Sequence, residues 1–179
     1  MKLLISINFD DETKSKLYDH MKNLTEKCDK GAFTKRDNIH LSLVYVGETP
    51  QVGAVVDTMD AIDTPEFELE LAEGGKFKRA GGDIYWVGIE KSPELIRLQK
   101  ILYRSLIRSG VLNGKNDFKP HITVSRDTVI NKEDIPYDEF TQKLKVKRIS
   151  LMKCEPGRDG MVYTEVYAKE LDGKQLTMR

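Results

Sequence analysis

Two short segments of the chain each carry a histidine and, two residues later, a hydroxyl side chain. The first contains His40 and Ser42, and the second contains His121 and Thr123. Successive side chains of a β-strand point to opposite faces, so each histidine would share a face with its hydroxyl residue while the aliphatic residues beside them face a core. The sequence therefore predicts two strands that each present an imidazole and a hydroxyl on one open face.

These four groups together suit chemistry at a phosphate. A neutral imidazole can take a proton from water, an imidazolium can give a proton to a leaving oxygen, and the two hydroxyls can hydrogen-bond the non-bridging oxygens. A metal site is the alternative use of paired histidines. It would need further ligands, but neither segment carries an adjacent carboxylate or thiol, and the third histidine, His20, falls in a predicted helix. The residues therefore favour metal-free acid–base catalysis.

The two segments resemble the paired His-x-Thr/Ser-x motifs of the 2H phosphoesterases. Val46-Gly47-Glu48 after the first motif, Lys119-Pro120 before the second and Arg126 after it are similar to the RNA 2′,3′-cyclic phosphodiesterase branch, the 2′-5′ RNA ligase-like proteins. This resemblance covers nearly the whole chain. It implies a hydrolase that opens the 2′,3′-cyclic phosphate of RNA 3′ ends or of small cyclic nucleotides to a 2′-phosphate, with no cofactor.

The same resemblance implies a role for each candidate residue. His40 would be the acid that protonates the leaving 3′ oxygen, and His121 would be the base that activates water. Ser42, Thr123 and Arg126 would bind the phosphate. Two alternatives stay open: a noncatalytic module that grips RNA ends or a nucleotide with the same groups, and a 2H phosphoesterase that acts on another cyclic phosphodiester.

Strand alternation conflicts with one of these implied roles. If the second strand alternates strictly, Arg126 points away from the face of His121, and Ser125 shares that face at the rim of the site. Trp86 lies in an earlier predicted strand. It is interpreted as a core residue rather than as a stacking platform for a base.

Composition bounds the remaining functions. The 179 residues suffice for a single domain with a sizeable core, and 29 Lys and Arg balance 29 Asp and Glu. Without net charge, any affinity for RNA must come from a local groove. Cys28 and Cys154 lack the spacing of a zinc knuckle or a disulfide framework, and no apolar run reaches the roughly 18 residues of a membrane span. We expect a cytoplasmic monomer that has no membrane contact.

Hydrophobic periodicity predicts the order of strands and helices. An apolar stripe of Leu17, Met21, Leu24 and Cys28 extends the first helix to about residue 28, and two glycine pairs indicate turns. In chain order, we predict strand 2–8, helix 10–28, loop 32–38, His strand 38–46, a helix from 49, strand 67–71, turns at 74–75 and 81–82, strand 84–90, helix 92–110, His strand 118–126, loop 131–142, strand 144–152, turn 155–160 and strand 161–169.

Strand, helix and His strand occur twice at one spacing. Leu3 precedes His40 by 37 residues, and Ile84 precedes His121 by 37 residues. The two copies share little identity, but their elements and motifs follow one order. Strand pairs separated by helices indicate an α+β fold. The sequence thus predicts one 2H phosphoesterase domain over residues 1–179, with two pseudo-symmetric lobes, each an antiparallel sheet flanked by helices, and the active-site cleft between them.

Overall fold

Aliphatic runs form the strands of this α+β protein, and amphipathic stripes form its helices. The computed structural model describes residues 1–26, 28, 30–129 and 142–173, with only the main chain at 24 and 25. The strands of this part are β1 (Lys2–Asn8), β2 (Lys30–Phe33), β3 (His40–Glu48), β4 (Phe67–Leu69), β5 (Leu71–Phe77), β6 (Asp83–Ile89), β7 (His121–Val129), β8 (Leu144–Val146), β9 (Arg148–Gly157) and β10 (Gly160–Glu170). The helices are α1 (Asp11–Thr25), α2 (Val52–Asp60) and α3 (Pro93–Arg108), with a 3₁₀ turn at Arg36–Asn38.

One antiparallel sheet runs through both halves of the molecule. Its strand order is β10-β9-β1-β3-β7-β6-β5, with β2 added on β7, while β4 and β8 form a separate pair. The two His strands, β3 and β7, are neighbours at the centre and pair at Leu41 and Ile122. Strand β1 flanks β3 as β6 flanks β7, so the strand, helix and His strand of each predicted copy occupy equivalent places. The predicted antiparallel α+β architecture is confirmed.

The helices contact the His strands crosswise. Helix α1, from the first copy, touches β7, and helix α3, from the second copy, touches β3. Leu98 and Leu102 of α3 are fully buried in the common core, and the Gln99 side chain donates to the Leu43 carbonyl oxygen at 3.2 Å. Ser92 caps α3, because its Oγ accepts from the Leu95 amide at 3.2 Å. Each helix therefore helps to fix the strand that carries the other copy's histidine.

Three local predictions are wrong. Helix α1 ends at Thr25, before Cys28, and the segment predicted as a loop begins with β2, which pairs with β7. This pairing satisfies main-chain groups of β7 on the side where β3 does not continue. The glycines at 74 and 75 lie inside β5 rather than in a turn. A Cβ at position 75 would collide with the indole ring of Trp86, which explains the glycine at this strand position. Such a close approach to a backbone requires glycine.

Several predictions fall on residues that are not described. The loop predicted at 131–142 lies outside the described residues except for Gln142, and the Leu24 side chain of the predicted helix stripe also lies outside them. Among the described residues, no helix has the length and apolar composition required to cross a bilayer.

Candidate active site

Both His strands show the alternation that the sequence predicts. In β3, His40 and Ser42 are half-buried on the open face, while Leu41 is fully buried behind them. In β7, His121 and Thr123 repeat this arrangement. The aliphatic residues hold each strand on the core, so the imidazoles and hydroxyls have to face outward.

The pairing of β3 with β7 brings the two motifs together. Leu41 lies opposite Ile122 in an antiparallel register. Residues one step away on either side are then also opposite each other, which places His40 beside Thr123 and Ser42 beside His121 on the same face. Each imidazole is thus next to the hydroxyl residue of the other strand as well as its own. Four polar groups from distant parts of the sequence form one cluster.

Each histidine ring is held through the same nitrogen. Nδ1 of His40 lies 2.7 Å from the carbonyl oxygen of Asn38, and Nδ1 of His121 lies 2.6 Å from the carbonyl oxygen of Lys119. A carbonyl oxygen can only accept, so Nδ1 carries the proton in both rings. When the rings are neutral, Nε2 is therefore the free base of each imidazole. This is the tautomer that can exchange a proton with a bound substrate.

Burial controls the protonation of both rings. It is the largest cause that lowers the pKa of His40 below its usual value, against the opposing hydrogen bond to Asn38, and the charges of Arg126, Lys14 and His121 lower it further. Burial also comes first in lowering the pKa of His121, again with help from the Arg126 guanidinium. Both histidines therefore favour the neutral form in the free protein.

Arg126 reaches the site because β7 contains a bulge. Trp86 of β6 pairs with Thr123 and Tyr85 pairs with Ser125, so Val124 is an extra residue in the ladder. Val124 and Ser125 are consequently both buried, and Arg126 emerges on the face of the histidines. The predictions from strict alternation were wrong for both residues: Arg126 lines a cavity with His40 and Thr123, and Ser125 points into the core, where it accepts from the Thr128 hydroxyl at 2.6 Å.

The segment after β2 stabilises this bulge. The Thr34 amide donates to the Val124 carbonyl oxygen at 2.8 Å, and the Thr34 hydroxyl donates to the Thr123 carbonyl oxygen at 2.8 Å. Both carbonyl groups of the bulged turn are thereby satisfied. In the same segment, Lys35 lines the cavity of His40. Arg36 binds α1 instead, since its Nε donates to Ser15 Oγ at 2.9 Å and its Nη2 donates to the main-chain oxygen of Asp11 at 2.9 Å.

Sequence reasoning missed the aromatic side chains that contact each histidine. Tyr163 of β10 packs on His40 with ring centroids 4.9 Å apart, and Phe77 of β5 meets His121 edge-on at 5.2 Å. Trp86, predicted as a core residue, is only half-buried and lies 6.2 Å from His121. Its indole Nε1 is buried, and none of the described residues accepts a hydrogen bond from it. These contacts depend on the order of strands in the sheet and have no local sequence signal.

Two cavities open on either side of the histidine pair. The first, which we call the His40 cavity, has a volume of about 280 Å³ and is lined by His40, Thr123, Arg126, Phe33 and Tyr163 among others. The second, the His121 groove, has a volume of about 760 Å³ and is lined by His121, Phe77 and a set of charged residues. Among the residues that the structure describes, no three His, Cys, Asp or Glu side chains converge as a set of metal ligands.

The chain is similar in sequence and structure to several known proteins. The model of the 2′-5′ RNA ligase superfamily matches residues 11–157 of the chain. The RNA 2′,3′-cyclic phosphodiesterase of Escherichia coli strain K12 is 30% identical over 131 residues, which cover 72% of this chain and 73% of that protein. The structure of E. coli LigT in apo form superposes with a TM-score of 0.82 at 26% identity, over 96% of this chain and 97% of LigT. LigT complexed with 3′-AMP gives a TM-score of 0.77 at 25% identity, over 95% and 96% of the two chains.

Proposed function

Because the chain belongs to the 2′-5′ RNA ligase superfamily, we propose that it is a metal-independent phosphodiesterase that opens 2′,3′-cyclic phosphates on RNA 3′ ends or nucleosides. The product is a 2′-phosphate with a free 3′-hydroxyl. The name of the E. coli relative, RNA 2′,3′-cyclic phosphodiesterase, supports this reaction. The complex of LigT with 3′-AMP supports a nucleotide as the ligand of this fold.

One observation carries the proposal: two histidines on adjacent strands each keep Nδ1 on a carbonyl oxygen and leave Nε2 for chemistry. The acceptors are the carbonyl oxygens of Asn38 and Lys119, each two residues before its histidine. Side chains locked in this way need little reorganisation when a substrate binds. A structural histidine requires no such matched pair, whereas general acid–base catalysis at one phosphorus atom requires two.

In the proposed reaction, water attacks phosphorus and His121 Nε2 takes its proton. The bond from phosphorus to the ribose O3′ breaks as His40 Nε2–H donates a proton to that oxygen. The phosphate remains on O2′, and both protons are accounted for by the two imidazoles. The Ser42 hydroxyl, 3.2 Å from His40 Nε2, is close enough to hydrogen-bond both the ring and a phosphate oxygen.

Arg126 and Thr123 complete the phosphate site in this proposal. A guanidinium beside the imidazoles stabilises the negative charge that grows on the non-bridging oxygens. The same positive charge lowers the pKa of both histidines in the free protein. The bound phosphate anion counteracts this effect, so the acid His40 becomes charged most readily when substrate is present.

Purified protein incubated with 2′,3′-cyclic nucleotides and cyclic-ended oligonucleotides tests the proposal. We expect hydrolysis with only 2′-phosphate products when these are resolved from 3′-phosphates by chromatography. Products with a 3′-phosphate would contradict the assigned leaving oxygen. Tight binding of the cyclic ends without turnover would favour the noncatalytic binding module, and turnover of other cyclic phosphodiesters alone would move the protein to another 2H activity.

A further inference from the structure

We infer that Gln99 and Asn116 are positioning residues for the two histidines, because their side-chain pair ties the first His strand to the segment that leads into the second. The inference rests on the proposed cyclic phosphodiesterase function, and it adds two residues that act on the imidazoles through the main chain. Three features of the structure support it: a polar side chain in the apolar core, the place where β3 and β7 separate, and the carbonyl group that holds His121.

Gln99 is a polar residue on the core side of α3. It is only 2% exposed, and a buried amide is costly unless its donors and its oxygen are bonded. Its Nε2 donates to the Leu43 carbonyl oxygen at 3.2 Å and to Asn116 Oδ1 at 2.9 Å. Its Oε1 accepts from Asn116 Nδ2 at 2.7 Å. We call Gln99 and Asn116 the amide pair, and it joins α3, β3 and the segment before β7.

The two His strands separate close to the site, and Gln99 binds at the point of separation. Leu41 pairs with Ile122, so the continued antiparallel register would place Leu43 opposite Pro120. Proline has no amide hydrogen and cannot donate to a ladder. The Leu43 carbonyl oxygen accepts from the Gln99 side chain instead. The side chain thus takes the place of a donor on the neighbouring strand.

The segment that leads into β7 is held by few contacts. Among the described residues, the main chain from 113 to 119 makes no hydrogen bond to another main-chain group. Phe118 packs on the core, and Asn116 forms the amide pair. Three residues after Asn116, the Lys119 carbonyl oxygen lies 2.6 Å from His121 Nδ1. The position of that carbonyl group therefore depends on the amide pair as well as on Phe118.

A shift of this segment would change which nitrogen of His121 carries the proton. The Lys119 carbonyl oxygen can only accept, so it keeps the proton on Nδ1 and leaves Nε2 as the base. If the carbonyl moves away, the Nε2–H tautomer becomes accessible, and a ring in that form cannot take a proton from water at Nε2. The amide pair also holds the strand of His40, through the Leu43 carbonyl.

The tautomer of His121 can be measured directly by ¹⁵N NMR of the imidazole rings at about pH 8, above the ordinary histidine pKa. We expect His40 and His121 of the wild-type protein to be in the Nδ1–H form. Asn116→Ala should shift His121 toward the Nε2–H form and leave His40, whose ring is held by Asn38, unchanged. An Asn116→Ala variant with wild-type tautomers in both rings would overturn the inference.

Steady-state kinetics on a 2′,3′-cyclic mononucleotide give a second measurement of the same variant. Asn116→Ala should lower kcat by roughly tenfold, since small misplacements of a reacting group are costly. Neither Gln99 nor Asn116 lines the His40 cavity or the His121 groove, so KM should be nearly unchanged. A raised KM with an unchanged kcat would assign Asn116 to substrate binding and would contradict a positioning role.

A double-mutant cycle tests whether the two side chains act as a pair. Gln99→Met has a side chain of similar length without the amide. In that background, Asn116→Ala should have little further effect on kcat, whereas independent side chains would give losses that multiply. Losses that multiply would show that Asn116 acts without Gln99, against the inference. The tautomer measurement on Asn116→Ala decides the question even if Gln99→Met does not fold.

Asn113→Ala is the matched control. Asn113 is an exposed residue of the same type in the same segment, three positions before Asn116. We expect this variant to keep the wild-type kcat and the wild-type tautomers. If it shifts the His121 tautomer as much as Asn116→Ala does, any change in the segment has this effect, and the amide pair has no special role.

Two outcomes separate this inference from the function on which it rests. If no cyclic phosphate is hydrolysed but Asn116→Ala changes the tautomer of His121, the proposed function fails and the positioning of the ring survives. If the wild-type protein hydrolyses cyclic phosphates and Asn116→Ala keeps both its kcat and its tautomers, the proposed function survives and the inference fails.

Discussion

The two halves of the site have the same backbone plan but different surroundings. His40 has both ring nitrogens within hydrogen-bonding distance of neighbours, with Nδ1 on Asn38 and Nε2 near the Ser42 hydroxyl. His121 has only its Nδ1 contact among the described residues. His40 is surrounded by more protein and packs against a tyrosine, whereas His121 lies beside Phe77 and lines the His121 groove.

This difference shows how one repeated motif can supply unlike partners. Strand pairing makes the two imidazoles equivalent in position, but different side chains cover them. Tyr163 of β10 packs on His40, and Phe77 of β5 meets His121 edge-on. A general acid and a general base need such unlike environments, because one must be charged and the other neutral at the same pH.

The largest expected effect is the loss of either imidazole. His40→Ala and His121→Ala should each lower kcat/KM on a cyclic phosphate by ~10² to 10⁴, since each removes an acid–base partner. His20→Ala on α1 is the matched control and should keep wild-type activity. Circular dichroism should confirm that all three variants fold. Near-native activity in a folded His40 or His121 variant would contradict the paired-histidine mechanism.

Arg126 should affect both phosphate binding and the protonation of both histidines. Arg126→Ala should lower kcat/KM by roughly 10- to 100-fold, the expected value of a hydrogen bond to a charged group. Because its charge lowers the pKa of both histidines, its removal should raise both pKa values and shift the acidic limb of the pH profile to higher pH. Arg126→Lys keeps the charge and is the control. An alanine variant with an unshifted acidic limb would show that this charge does not act on the histidines.

The pH dependence of kcat/KM tests whether one histidine acts as an acid and the other as a base. An acid must be charged and a base neutral, and both histidines have lowered pKa values. The kcat/KM profile should therefore be a bell with its maximum below about pH 6.5, the ordinary histidine pKa, and with a tenfold loss per pH unit on each limb. Both limbs belong to the coupled pair. The limbs of kcat should lie at higher pH, since the bound phosphate anion raises both pKa values.

Histidine variants sharpen this assignment. The residual rate of a His121 variant should lose its acidic limb, and that of a His40 variant should lose its alkaline limb. The opposite pattern would exchange the two roles and leave the mechanism in place. A wild-type profile that is flat from about pH 5 to 9, with chemistry shown to be rate-limiting, would exclude a mechanism with two imidazoles.

The hydroxyl residues should have smaller effects. Ser42→Ala and Thr123→Ala each remove one neutral hydrogen-bonding group, worth about 1 kcal/mol or roughly fivefold in kcat/KM. Ser42→Thr keeps the hydroxyl and should be nearly neutral. Steady-state kinetics on one cyclic nucleotide measure all three. If Ser42→Thr is as impaired as Ser42→Ala, the space around His40 matters more than the hydroxyl.

Removal of metal ions should leave the activity unchanged. Prolonged incubation with EDTA followed by gel filtration should leave kcat/KM unchanged, since two imidazoles fall short of the ligands that a zinc site needs. Loss of activity, with recovery on adding zinc or manganese, would establish a metal-dependent mechanism in place of acid–base catalysis.

The sequence by itself determined the features that repeat at short range. Alternation with a period of two identified the open faces of β3 and β7, and stripes at helical spacing identified α2 and α3. The spacing between strand, helix and His strand predicted the equivalent halves. These signals are legible because strands and helices impose their periods on neighbouring residues, whatever the rest of the chain does.

Only the tertiary structure decided which further residues reach the histidines. The bulge at Val124 moves Arg126 into the site and Ser125 into the core, against the local alternation. The pairing of β2 with β7 fixes that bulge, and the position of β10 brings Tyr163 onto His40. Each of these contacts joins segments far apart in the chain. Their energies come from ladder hydrogen bonds and packing between those segments, so no local period in the sequence records them.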